Sequence, residues 1–226
     1  EKIDLCLVGE PTSYEKIGDS VRIGRRGSLG GSLRIIGKQG HIAYPENVDN
    51  PIFSASDVIV KLKNTTWDNG NAIFQPTSFQ ISNIHSGTGA KNIVPGDLDM
   101  LFNFRYSTES TKETLIAEFE SILNELNIKY EIEWKLSGLP YLTKKDNLKD
   151  VVVQSIKNIT GYIPDLNAKG GTSDGRFIAK MGTEIVELGP LNETIHQIDE
   201  HVKISEIWTL KDIYTDILKG LNTKLS

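Results

Sequence analysis

Cysteine is almost absent. One Cys in 226 residues leaves no partner for an intrachain disulfide and fits a reducing compartment, the cytoplasm. Cys6 lies in the apolar run "IDLCLV", which reads it as a buried, inert thiol. Apolar runs are short: none approaches the ~18 residues of a membrane span, and no basic-then-apolar leader opens the chain. Basic residues are the minority, 25 Lys and Arg against 30 Asp and Glu, for a net charge of −5. Nucleic-acid and membrane-surface binders need a basic face, so neither partner is expected. Internal repeats and low-complexity tracts are missing too. The chain opens on Glu1 rather than Met and is strand-like by residue 3, so it reads as the C-terminal part of a longer polypeptide.

What is present is a patterned sequence with 38% hydrophobic residues, enough for one or two domains. The run 3–8 reads as a strand buried on both faces. "SLRIIG" (32–37), "SFQISNI" (78–84) and "YEIEWKL" (130–136) read as strands, and "DLDMLFNFRYS" alternates most clearly. In it Leu98, Met100, Phe102, Phe104 and Tyr106 point one way, Asp97, Asp99, Asn103 and Arg105 the other. Residues 51–64 predict a helix with Asn50 as N-cap and Pro51 at the first position. A second helix follows Ser110, whose spacing to Glu113 predicts a capping box; Leu115, Ile116, Phe119, Ile122, Leu123 and Leu126 make its buried stripe. Residues 32–136 thus read β-α-β-β-α-β, a four-stranded antiparallel sheet carrying two helices on one face.

The flanks read differently. "SGLPYLTKKDN" is a linker. A helix with Leu148, Val151, Val152, Ser155, Ile156 and Ile159 inward follows, then a loop "NAKGGTSDG", a short helix around Phe177, a strand "EIVEL", and a last helix from Ser205 with Ile207, Leu210, Ile213, Tyr214, Ile217, Leu218 and Leu221 inward. This is α/β material. The fold class is therefore an α/β domain (1–26 and 139–226, partial) interrupted by an inserted α+β domain (27–138).

Four stretches carry candidate chemistry. Glu10 follows the first strand and His196 follows "EIVEL", and ligands in open α/β sheets bind beyond the carboxyl ends of strands. Carboxylate and imidazole are both zinc ligands; the bland reading is a turn carboxylate and a surface-loop His. His201 is five residues from His196, out of helical register, and reads as solvent-facing, as does His85. "GGTSDGR" (170–176) frees the backbone to approach a ligand and adds the Thr172 and Ser173 hydroxyls. Formally it is also G-x-S-x-G, which would make Ser173 a nucleophile with Glu187 and His196. Arg105, on the polar face of its strand, either pairs with Asp97 or Asp99 or binds a substrate carboxylate, and Arg25 and Arg26 are further guanidinium sources. His41 in "GKQGHIAYP" sits where a strand gives way to a loop.

"VGEPT", "GRRGSLGG", "GKQGHIAYP", "NIHSGTGAKNIVPG", "FNFRYS", "GGTSDGRF" and "ELGPLNETIHQIDE" occur in this order, and together they resemble the zinc aminoacylase/carboxypeptidase family over almost the whole chain. The resemblance implies a catalytic α/β domain with a pair of zinc ions (cobalt as alternative) and an inserted domain, 27–138, that forms a homodimer. It implies Glu10 and His196 as metal ligands. His41 would be lent across the dimer to the oxyanion, and Arg25, Ser28, Tyr44, Asn92, Arg105, Gly171, Thr172 and Asn192 would line the substrate pocket. Lys91 stands where the family leads one to expect Asn. The implied reaction is hydrolysis of the amide of N-succinyl-LL-diaminopimelate, with other acyl-amino acids, an acetylornithine type among them, as alternatives. The other metal ligands and the general base are not in this sequence, so the chain alone is expected to bind metal weakly and turn nothing over. A non-catalytic dimerisation module is the reading of another class.

Overall fold

The computed structural model of the chain describes residues 2–225, the last three by their backbone alone; Glu1 and Ser226 lie outside the described residues. Two compact units are present, one of Glu1–Arg26 with Pro140–Ser226, the other of Gly27–Leu139. The first begins with β1 (Leu5–Val8), β2 (Ser20–Arg22) and β3 (Gly24–Arg25). The second holds β4 (Gly27–Ile36), β5 (Gly40–His41), α1 (Pro51–Asn64), β6 (Ser78–Ser86), β7 (Ile93–Val94), β8 (Asp97–Tyr106), α2 (Lys112–Glu125) and β9 (Tyr130–Gly138). The first resumes with β10 (Tyr141–Leu142), α3 (Asn147–Thr160), β11 (Asp165–Asn167), α4 (Gly175–Ala179), β12 (Glu184–Glu187) and α5 (Ile204–Leu225).

The inserted unit is the β-α-β-β-α-β arrangement its periodicity predicts. Its main sheet has the order β6-β8-β4-β9, with every neighbour antiparallel. Leu98, Met100, Phe102, Phe104 and Tyr106 of β8 are buried and meet Leu29, Leu33, Ile35, Leu115, Phe119 and Leu123 in one core. Burying one such side chain contributes about 1.5–3 kcal/mol, so the alternation of β8 alone fixes which face the helices cover. Asn50 caps α1 through its side chain, with Pro51 at the start.

Two expectations for this unit need correction. β4 begins at Gly27, not at Ser32, because its glycines are there for the neighbouring strand: a Cβ on Gly31 would lie 2.3 Å from the Phe102 ring, and one on Gly27 equally close to Tyr106. The cap of α2 is Thr111, in a box with Thr114, rather than Ser110 with Glu113. Ser110 instead donates to the Asp68 carboxylate at 2.6 Å.

The other unit carries a mixed sheet of order β1-β12-β2-β11: β1 and β12 are parallel, β12 and β2 antiparallel, β2 and β11 parallel. β12 is fully buried. β1 stands at an edge and is only half-buried, which corrects the expectation of a strand covered on both faces. Cys6 on it is half-buried rather than sealed; burial, then the charge of Glu187, pushes its thiol up. The stretch read as a linker contains β10, which pairs with β3, and the stretch read as a loop begins on the last residue of β11, an unexpected strand that pairs with β2. α3 buries Leu148, Val152, Ser155 and Ile156 and ends on Gly161 in the left-handed conformation, a glycine stop. The inward stripe of α5 is narrower than its pattern implies: Ile213 and Ile217 are buried, Ile207 and Leu218 exposed.

Candidate active site

β1 and β12 run side by side and end together, with Val8 opposite Glu187. Beyond them the chain continues as two segments laced to each other. Leu188 N donates to Val8 O at 3.0 Å, Gly189 N to Thr12 Oγ1 at 3.2 Å, Ser13 Oγ to Gly189 O at 2.8 Å, and Asn192 N to Ser13 O at 3.0 Å. A Cβ on Gly189 would sit 2.2 Å from Glu10 O, so only glycine lets the backbones approach this closely. The Tyr214 hydroxyl donates to Leu188 O and ties α5 to the same place; burial pushes that phenol up to about 12. Glu10 and the segment leading to His196 therefore share one rim of one sheet, beyond the carboxyl ends of parallel strands, where α/β sheets bind ligands.

His196 is exposed and has φ +61°. A non-glycine residue in the left-handed region costs about 1 kcal/mol. Its amide donates to the Glu200 carboxylate at 3.4 Å, and Thr194 and His201 close the turn with two hydrogen bonds of 2.9 and 3.1 Å. Glu10 is half-buried. As a metal centre the pair is incomplete: among the described residues no three His, Cys, Asp or Glu side chains come together as a set that could hold an ion. A catalytic zinc takes three protein ligands and a water. The residues described here do not meet that requirement by themselves.

The loop 168–174 is anchored from below by one ion pair. Glu187, fully buried, accepts on Oε2 from Arg25 Nε at 2.8 Å and from Arg25 Nη2, and on Oε1 from the hydroxyls of Tyr141 and Ser173. Arg25 Nη1 donates to the carbonyls of Lys169 at 3.2 Å and Gly171 at 3.1 Å. Burial, and next the negative charge of Glu187, pushes the Tyr141 phenol well above its usual range, so it stays a donor. Ser173 is 3% exposed and donates its hydroxyl hydrogen bond to a carboxylate. A serine nucleophile needs an exposed hydroxyl donating to a histidine, so the serine-hydrolase reading is set aside. Gly171 projects into open space, since a Cβ there would meet nothing within 4 Å. Thr172 beside it is half-buried.

In the inserted unit the candidate residues form two groups. Ser28 is opposite Arg105 in the β4–β8 ladder, with Asn103 donating to Ser28 Oγ at 3.2 Å. The Arg105 guanidinium has no hydrogen bond or ion pair among the described residues; Asp99 is taken by Arg34, at 2.8 and 2.9 Å, so the expected internal salt bridge does not form. The second group lies beyond the other end of the ladder. β5 pairs with β7, Ile42 N donates to Asn92 O at 3.1 Å, and the His41 and Tyr44 rings are 5.7 Å apart. His41 Nδ1 accepts from Ala43 N at 3.1 Å, which leaves Nε2 to face outward as a donor. His41, Tyr44 and Asn92 are exposed. Eight residues separate Ser28 from Ile36 along β4; at ~3.3 Å per residue, roughly 26 Å lies between the groups.

Sequence reasoning missed how Glu187 works. An acid inside "EIVEL" is a charge in a buried strand, and such a charge demands a partner; that signal was available, although the identity of the partners was not.

Comparison with known proteins supplies the frame. Residues 23–131 match the family described as the peptidase dimerisation domain. The chain is 52% identical over 97% of its length to the succinyl-diaminopimelate desuccinylase of Methylococcus capsulatus, and 54% identical over 98% to that of Acinetobacter baumannii. It spans 58% and 59% of the length of these relatives. Among solved structures, the aminopeptidase PepT of Bacillus cereus superposes with TM-score 0.81 at 20% identity, over 97% of this chain and 57% of that one. The M20 family metallo-carboxypeptidase of Sulfolobus solfataricus follows with TM-score 0.77 at 15% identity, over 95% and 63%. By these matches residues 23–131 are similar to the peptidase dimerisation domain, and nearly the whole chain is similar to the matching part of the succinyl-diaminopimelate desuccinylases.

Proposed function

We propose that this chain is the substrate-gripping and dimerising portion of an amide hydrolase that cleaves N-succinyl-LL-diaminopimelate to succinate and LL-diaminopimelate. The observation that carries the reading is the identity above 50% with desuccinylases over nearly every residue of the chain. Arg105, without an internal partner, offers a planar guanidinium to one of the substrate's carboxylates. The open backbone at Gly171 lets substrate approach the loop, and Thr172 adds a hydroxyl there. Arg25 and Asn192, in the same unit as Gly171, and Ser28, opposite Arg105 in the inserted unit, are the further substrate-side residues of this reading.

His41, Tyr44 and Asn92 serve a second pocket. The roughly 26 Å between them and Arg105 supports a homodimer in which each copy lends His41 to its partner. There the His41 N–H steadies the oxyanion that forms when water adds to the succinyl carbonyl. The reading includes two zinc ions per complete subunit, cobalt being the alternative, with Glu10 and His196 supplying one ligand each. Donors beyond the described residues complete the centre, and the metal supplies activation of water once bound.

The test joins this chain to the segment of the Methylococcus capsulatus relative that it does not match. The joined protein is expected to hydrolyse N-succinyl-LL-diaminopimelate at least tenfold better in kcat/KM than N-acetylornithine, to stop in chelator and to recover with zinc. The 226-residue chain alone is expected to be inert. Turnover by the chain alone, or activity indifferent to chelator, rules the assignment out.

A further inference from the structure

Arg25 has been counted among the residues that touch substrate, yet most of its hydrogen-bonding capacity is spent inside the protein. A guanidinium has five N–H donors. Nε and one N–H of Nη2 go to Glu187, and the two of Nη1 go to the carbonyls of Lys169 and Gly171. One N–H remains. Arg25 is therefore unable to act as a two-pronged fork on a substrate carboxylate without releasing the protein.

What it grips is the loop. The carbonyls of Lys169 and Gly171 flank Gly170, which has φ +96° and on which a Cβ would lie 2.7 Å from Arg25 Nη1. Two residues on, Ser173 is held by the same carboxylate that holds Arg25. Tyr141 fills the remaining acceptor position of Glu187 and stands so close to the start of α4 that a Cβ on Gly175 would come within 2.6 Å of its hydroxyl. Glu187 accepts four hydrogen bonds, as many as a carboxylate has lone-pair sites. It issues from β12, whose residues are all buried, so the loop is referenced to a strand in the interior of its unit.

We propose that Glu187 is a positioning residue: through Arg25, Ser173 and Tyr141 it sets the conformation of the loop 169–173, and with it where Gly171 and Thr172 meet the acyl-amino-acid substrate. This rests on the desuccinylase reading for the identity of the substrate, not for the existence of the clamp. Glu187→Gln keeps the shape but removes the charge that holds Arg25 and turns one acceptor into a donor facing hydroxyls. Loop order then falls while the chemistry, which Glu187 does not touch, is left in place.

Two measurements decide it. In the 226-residue chain, hydrogen exchange of the amides of Lys169, Arg176 and Phe177, which donate to Asn167 Oδ1 and to the carbonyls of Ser173 and Asp174, is expected to speed at least tenfold in Glu187→Gln, with β4 and β8 of the other unit unchanged as the internal control. In the joined hydrolase, KM for N-succinyl-LL-diaminopimelate is expected to rise about tenfold with kcat within threefold, a split that general destabilisation would not produce. Unchanged exchange overturns the clamp. Faster exchange with an unchanged KM overturns its relevance to substrate, and so does a loss confined to kcat. If Glu187→Gln fails to fold, Ser173→Ala removes one of the four donors and leaves the ion pair; both readouts are then expected to move about threefold. A joined wild-type protein that hydrolyses no succinyl substrate sinks the desuccinylase reading instead, and the exchange measurement still decides whether Glu187 orders the loop.

Discussion

Asp68 collects five hydrogen bonds on one half-buried carboxylate. The amides of Gly70 and Thr77 donate at 2.9 Å each, the hydroxyls of Ser107 and Ser110 at 3.0 and 2.6 Å, and the Thr77 hydroxyl donates as well. It thereby ties the segment between α1 and β6 to the turn between β8 and α2. Burial alone would push this carboxyl up, but the hydroxyls of Ser110 and Thr77 and the amides of Thr77 and Gly70 outweigh it and bring it down to about 2. A depressed folded-state value means stability present above the ordinary value of 3.8 and lost as pH falls through it toward 2. Asp68→Asn is expected to cost about 1 kcal/mol at pH 7, a modest figure because solvent reaches the carboxylate. The difference between wild type and variant in urea midpoint, followed from pH 7 to pH 2, should hold steady above about pH 5 and shrink below it. A difference that is flat across the range, or that grows in acid, contradicts this account. Residues of this kind show how far the candidate site was legible. Glu10 and His196 could be chosen by type and by position after strands, and the segments that follow those strands are laced together as far as Ser13 and Asn192. That Arg25 points inward while Arg105 is left unpaired could not be read, because pairing is decided by neighbours that are 144 and 162 residues away in sequence.

At the scale of elements, legibility followed length. α1, α2 and β8 each span ten or more residues, enough for a period of 3.6 or 2 to repeat and declare a face. β2, β3, β10 and β11 span two or three residues; no period can show in so little chain, and they exist because a partner strand is already in place. β4 was half-read because glycine usually weakens a strand. Here it makes room: the Phe102 ring lies over Gly31 and reaches the Phe119 ring of α2, stacked at 4.7 Å, with Trp134 edge-on at 5.3 Å. Gly31→Ala is therefore expected to cost about 1–3 kcal/mol by overpacking, although alanine suits a strand better than glycine does. Gly30 is the control, since it faces the other side, and a Cβ there would press on the end of the flexible Asn103 side chain at 3.3 Å and otherwise make ordinary contacts with two backbone oxygens at 3.5 and 3.8 Å. Gly30→Ala should stay within about 0.5 kcal/mol of wild type in denaturant melts. Equal losses at the two positions would refute the aromatic explanation and return β4 to the ordinary rules for glycine.

For the whole molecule the question is which surface two copies would share. The main sheet of the inserted unit has two edges, β6 and β9. β9 carries Glu131, Glu133 and Lys135, the charges by which natural edges resist pairing. β6, "SFQISNIHS", carries no Asp, Glu, Lys or Arg over nine residues. Beside it α1 exposes Phe53 and Val60, 71% and 59% accessible and two turns apart, and Ile52 at its start is exposed as well. An uncharged edge next to an apolar helical stripe is what strand addition between two copies requires: the ladder supplies backbone hydrogen bonds and the helices supply apolar area. Light scattering of the 226-residue chain is expected to give a particle of twice 25.1 kDa. Placing lysines at Gln80 and Asn83, exposed positions of β6, gives that edge the protection β9 already has. In a two-fold antiparallel pairing the added charges from the two copies face one another, so the variant should run as a monomer with its secondary structure unchanged. Lysine at Ser137 of β9 should leave the dimer intact. A wild-type monomer, or a dimer indifferent to the β6 lysines and broken by the β9 one, would move the shared surface elsewhere. The loan of His41 from copy to copy would then lose its geometric support.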